Sequence, residues 1–198
     1  MNRPRWLVPV GIVVAVLLII VLPLVGTYNG LVNQEEGVNN SFADLDAQLQ
    51  RRNDLIPNLV NAVRGVLRQE QTVFGEIARA RTQYAGANTV QEKAAASGQV
   101  ESALARLLAI FENYPQLRSN ENVRDLQVQL EGTENRINQA RRDYNGVVTR
   151  YNVQIRRFPR SIIANLFGFD RKDLFEAGPG ARENPRVDLE SDLTPAPS

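Results

Sequence analysis

The chain has 198 residues and a formal net charge of +1, from 23 basic and 22 acidic side chains, so no bulk field favours nucleic acid. It contains neither Cys nor His. Disulfides, thiolate metal sites, Ser-His-Asp arrangements and imidazole bases or ligands are therefore excluded, and any catalysis is left to carboxylates, Arg, Ser/Thr, Tyr or two lysines, Lys93 and Lys172.

The first element is an apolar run. From Trp6 to Gly26 no residue is charged, and as a helix that run covers about 30 Å at ~1.5 Å per residue, the thickness of a bilayer core. Pro9 and Pro23 lie near its ends, where helix hydrogen bonds are incomplete anyway. A cleaved signal peptide wants a shorter apolar stretch of about 7–15 residues and a small-x-small cleavage site, and Leu24-Val25-Gly26 is a poor one. Residues 6–26 are therefore expected to form an uncleaved transmembrane helix. Arg3 and Arg5 flank one end, whereas no Lys or Arg occurs from Thr27 to Gln50. The positive-inside rule then predicts a cytoplasmic N-terminus, residues 1–5, and an extracytoplasmic remainder.

Residues 27–175 read as an all-α bundle domain. Steps of four and three from Val38 pass through Phe42, Leu45, Leu49, Arg52, Ile56, Leu59, Val63, Val66, Glu70, Val73, Ile77, Ala80 and Tyr84, the heptad spacing of a bundle seam interrupted at Arg52 and Glu70. A shorter stripe joins Val100, Leu104, Leu107, Phe111 and Tyr114. Another runs through Val123, Leu126, Leu130, Thr133, Ile137, Ala140, Tyr144, Val147 and Tyr151.

The punctuation fits these stripes. Thr89 to Glu92 is a capping box, Tyr114-Pro115 halts a helix, Asn120 can cap the next, and Phe158-Pro159 ends it. Asp54 as an N-cap with Pro57 in the first turn makes a tight turn near residue 53. This favours an antiparallel up-and-down bundle of four helices, at about 28–52, 55–86, 90–114 and 121–157. One helix continuing through a kink at Pro57, giving three long helices, is the alternative. Residues 176–198 are rich in proline, lack aromatics and are expected to be a disordered tail.

The search for chemistry yields little. Glu35/Glu36 and Asp44/Asp46 are too close along a helix to converge on one atom. Gly178-Pro179-Gly180 lacks the strand and helix of a phosphate cradle. No catalytic, cofactor or metal residues are expected, and neither nucleic acid nor a small-molecule substrate.

Two charged residues occupy seam positions and are candidate structural polar groups. Arg52 is expected at a helix end with its head in water. Glu70, read as mid-helix, is expected to pair with Arg136, Arg141 or Arg142. Between Arg136 and Lys172 nine basic residues face only Asp143 and Asp170. Within that stretch Arg156, Arg157 and Arg160 precede Ile162, Ile163, Leu166, Phe167 and Phe169, a mixture suited to anionic lipid headgroups. If four helices alternate up and down, this segment returns to the membrane; three helices carry it away.

Four segments resemble the LemA family of bacterial membrane-anchored helical proteins: Tyr28-Asn29-Gly30-Leu31-Val32; Arg51-Arg52-Asn53-Asp54-Leu55-Ile56-Pro57-Asn58-Leu59-Val60; Glu112-Asn113-Tyr114-Pro115; and the stretch from Glu134-Asn135-Arg136-Ile137 through Ala140–Asn145 and Tyr151-Asn152 to Phe158-Pro159. The resemblance covers about residues 7–175. It implies an N-terminal membrane segment and an antiparallel bundle, and brings no catalytic residues. Some relatives carry a lipid-modified Cys before the Tyr-Asn; Gly26-Thr27 stand there in this chain. A related branch linked to magnetosome membrane formation suggests scaffolding. The expected function is a membrane-anchored scaffold or interaction protein of the bacterial envelope, without catalytic activity, meeting membrane lipid and either a protein partner or its own copies. The alternative is an accessory or regulatory subunit of a membrane protease or other envelope enzyme.

Overall fold

The computed structural model describes residues 7–176. Six helices occur among them: α1 (Leu7–Arg64), α2 (Gln71–Gly86), α3 (Val90–Phe111), α4 (Pro115–Arg118), α5 (Glu121–Gln154) and α6 (Arg160–Phe167). The chain is all-α, as the periodicity requires. The backbone of the uncharged run from Leu7 onwards belongs to α1, but most of its side chains lie outside the described residues. Among the described residues no helix is long and apolar enough to cross a membrane. The tail expected to be disordered also lies outside them, apart from Glu176.

Two units divide the fold. The first consists of α1 up to Leu55, α5 from Val128, α6 and the segment that follows it to Leu174. Its core is built on the predicted pair of stripes, Val38, Leu45 and Leu49 of α1 with Leu130, Ile137, Tyr144 and Tyr151 of α5, to which Leu31 and, just beyond α5, Ile155 are added, all buried. Each large apolar side chain so buried contributes about 1.5–3 kcal/mol. The Phe42 and Tyr144 rings lie 5.4 Å apart, and Arg52 reaches Glu134 at 3.1 Å. Contacts therefore advance along α1 as they retreat along α5, so these helices are antiparallel. Late in α5 the buried position is Val148 in place of Val147.

The second unit contains the end of α1 from Ile56, then α2, α3, α4 and the start of α5. Helices α2 and α3 form an antiparallel hairpin. Lys93 lies 5.8 Å over the Tyr84 ring near the connection, and Arg106 pairs with Glu76 at 2.9 Å farther along. Ile77, Ala80, Tyr84, Val100, Leu104, Leu107 and Phe111 are buried within the unit. The capping box forms as expected: the Thr89 hydroxyl accepts from the Glu92 amide at 3.1 Å, and the Glu92 carboxylate accepts from the Thr89 amide at 3.1 Å. Amides of Asn88 and Thr89 hold the Glu92 carboxyl below its ordinary pKa. Asn120 caps α5 through the Val123 amide at 3.2 Å.

The favoured four-helix reading is corrected: the described residues hold six helices, with α4 and α6 added, and no boundary falls at Asp54. Helix α1 does not turn at Asp54; it continues through Pro57 to Arg64. An interior proline costs about 3 kcal/mol. Ile56, Leu59 and Val63 are each fully buried around it, and together they outweigh that cost. The chain breaks at residues 65–70, where the Val66 and Leu67 amides both bond the Val63 carbonyl and the Glu70 amide bonds that of Leu67. Leu67 takes the buried place and Val66 is 39% exposed, so the seam slips by one residue there.

Candidate functional site

The first unit gathers most of the residues singled out in the sequence at the end of α1 nearest the uncharged run. Gly168 caps α6 with φ 74°, the left-handed conformation that favours glycine, and the Phe169 amide returns to the Ala164 carbonyl at 2.9 Å. That reversal sends residues 169–174 back along the unit. Tyr28 meets the turn from α1, its ring 4.8 Å from Phe167 and 5.7 Å from Phe169.

The returning segment has no helix or strand of its own, and side chains hold it. Asn152 donates through Nδ2 to the Lys172 carbonyl at 2.8 Å and accepts from the Lys172 amide at 2.9 Å, reproducing a backbone pairing with one carboxamide. The Tyr144 hydroxyl donates to the Asp173 carbonyl at 2.8 Å. Lys172 Nζ meets Glu35 Oε1 at 2.6 Å, tying the segment to α1. Burial, and secondarily the Asp173 charge, pushes the Tyr144 hydroxyl up to about 12. Burial, then Glu35 and Asp170, does the same for Tyr151. Both hydroxyls stay protonated near neutrality, so Tyr144 remains a donor. Tyr144, Tyr151 and Asn152 are the Tyr-Asn residues noted in the sequence, which made them stand out without revealing that two of them pin a distant strap.

Helix α6 presents two apolar faces. Ile163 and Ala164 are buried, as is Phe169 beyond the cap. On the other face Ile162 and Leu166 are 55% and 73% exposed, with Phe167 beside Leu166, and Phe158 in the turn before the helix is 82% exposed. Of the apolar residues expected at a lipid surface, Ile163 and Phe169 thus face protein: Ile163 is turned about 100° around the helix from Ile162, and Phe169 lies beyond the Gly168 cap with its ring against Tyr28. Arg156 and Arg157 are exposed and have no acidic partner among the described residues. Arg160 bonds the Gln154 side chain.

The two charged seam residues depart from expectation. Arg52 is not at a helix end in water: it lies inside α1, is 1% exposed, and donates to Glu134. Its partner is 82 positions away in sequence, beyond reach of any local pattern. Glu70 is not mid-helix but at the N-cap of α2, half-buried and without a capping hydrogen bond. Of the arginines proposed for it, Arg141 and Arg142 bond Asn138 and Gln139 on their own helix.

The LemA family profile matches residues 41–189, and the chain belongs to that family. It is similar to the magnetosome proteins MamQ 1 and MamQ 2 of Paramagnetospirillum magneticum, each 26% identical over 178 residues and covered 77% in this chain and 65% in the relative. Similarity to the magnetosome protein MamQ of Magnetospirillum gryphiswaldense is 25% over 205 residues, covering 90% of this chain and 75% of the relative. The chain thus spans about 65% of the length of the two P. magneticum relatives.

Proposed function

We propose that this protein is a single-pass, membrane-anchored helical scaffold of the bacterial envelope, with a cytoplasmic N-terminus and its bundle on the extracytoplasmic side. It binds a protein partner or its own copies and has no catalytic activity. The observation that carries this reading is the continuity of α1. The helix starts at Leu7 within the uncharged run and passes unbroken into the buried seam of the first unit. An anchor joined to the core without a linker suits a protein that positions partners relative to a membrane. The absence of His and Cys from the whole sequence agrees with a binding role. So does the relationship to magnetosome proteins.

The test combines topology and association. Protease added to intact spheroplasts digests the bundle, and cross-linking in native membranes captures a defined neighbour or a self-adduct. Protection of the bundle until lysis refutes the orientation. An exposed bundle that cross-links to nothing refutes the scaffold.

A further inference from the structure

We propose that α6 and the turn before it form a foot that rests on an anionic bilayer surface beside the point where α1 leaves it. This rests on the reading of residues 6–26 as the membrane span. Tyr28 stands two residues beyond Gly26, roughly 3 Å higher at ~1.5 Å per residue, and its ring touches Phe167. Helix α6 is thereby fixed at the level where hydrocarbon gives way to headgroups.

The exposed chemistry fits that level. Ile162 and Leu166, four residues apart on α6, form one exposed apolar stripe, and Phe158 is exposed in the turn before the helix. A contiguous exposed patch of this kind marks an interaction surface. Arg156 and Arg157 are exposed just before it in the chain, and Arg160 is held by a neutral amide, so all three keep their charge for an outside partner. No carboxylate lies between Arg156 and Asp170, which stands beyond the buried Phe169. Apolar side chains that enter the interface, with arginines above them, are the pattern of an interfacial helix. The same face on a second copy carries the same positive charge, which opposes its docking on itself.

Near an anionic leaflet each arginine raises the ratio of docked to undocked foot about fivefold, and three together roughly a hundredfold. The experiment uses the full chain in nanodiscs with and without phosphatidylglycerol. Because the chain has no Cys, Leu166→Cys places the only thiol on the stripe for an environment-sensitive fluorophore, and Glu131→Cys serves as a distant control. In anionic discs the Leu166 probe shifts to the blue and is quenched by lipids bearing a nitroxide near the headgroup. High salt, or the triple change Arg156→Glu, Arg157→Glu and Arg160→Glu, returns it to the signal seen in water. The control stays water-like throughout.

A Leu166 probe that remains water-like in anionic discs overturns the foot while leaving the anchor intact. So does quenching that ignores both phosphatidylglycerol and the triple change, or a blue shift that appears only as protein density rises, the mark of a second copy. Failure of the full chain to enter discs at all removes the anchor, and the foot with it.

Discussion

The carboxamide of Asn152 offers a direct test of what holds residues 169–174 in place. Asn152→Ala deletes both bonds to the Lys172 backbone, at 2.8 and 2.9 Å, and leaves the helices untouched. A hydrogen bond of this type contributes about 1 kcal/mol net, and this site is only part-buried, so water can reach the freed groups. The pair is thus worth about 2 kcal/mol, equivalent to a roughly thirtyfold rise in local opening. Amide hydrogen exchange read residue by residue should show Lys172 exchanging about thirtyfold faster in the variant. Exchange in the centre of α5, around Ile137, should not change. Asn152→Asp is expected to be worse than Asn152→Ala, because it keeps the acceptor but turns a carboxylate oxygen toward the Lys172 carbonyl. Tyr144→Phe, which removes the bond to Asp173, should accelerate the same segment about fivefold. If Lys172 remains as protected in Asn152→Ala as in the parent, the carboxamide does not hold the segment and the reasoning is wrong.

Other outcomes follow from single positions. Gly168→Ala should lower thermal stability by about 1–2 kcal/mol because of its φ of 74° alone, since nothing lies within 4 Å of an added Cβ; Gly132→Ala, inside α5 and equally unobstructed, should raise it by about 0.5–1 kcal/mol. Paired calorimetric melts that moved in the same direction would contradict this. Tyr144 and Tyr151 have folded pKa values raised to about 12 from 10.0, so the stability they confer is complete below pH 10 and is lost as pH rises through about 12. Tyrosinate absorbance and circular dichroism recorded together on alkaline titration should rise and fall in concert, and the double change to Phe should uncouple them. Glu134→Ala, which takes the carboxylate from buried Arg52, should cost about 2–3 kcal/mol, below the ~3–5 kcal/mol of a fully buried pair because Glu134 is 31% exposed. A neutral result in chemical denaturation would show the pair to be dispensable.

Much of the fold was legible because helices advertise their buried face at a fixed spacing. From Val38 to Val63 almost every seam residue is buried as the spacing predicts, with Phe42 half-buried. The capping box and the Asn120 cap are local chemistry and were equally readable. The turn was not. Asp54 and Pro57 carry turn chemistry, yet the deciding quantity is the burial of Ile56, Leu59 and Val63, a tertiary effect invisible in a four-residue window. The true break at 65–70 contains no proline and hides behind a one-residue slip from Val66 to Leu67. The fate of Arg52 depended on Glu134, and the course of residues 169–174 on Asn152 and Tyr144; both are long-range pairings without periodicity. On α6 the composition pointed to an interface, but only the helix phase separates exposed Ile162 from buried Ile163.

The unbroken course of α1 also has a mechanical meaning. Long helices bend gently and do not hinge without a specific cause, so within the first unit α1 from Tyr28 to Leu55 behaves as a lever about 40 Å long. Transmembrane helices lie on average about 20° from the bilayer normal, and tilting is one way they absorb a change in bilayer thickness. A change of about 15° at the Tyr28 end sweeps the far end of that lever through roughly 10 Å. If residues 6–26 span the membrane as proposed, the arm converts a property of the lipid, its thickness, into a displacement as large as the width of a helix.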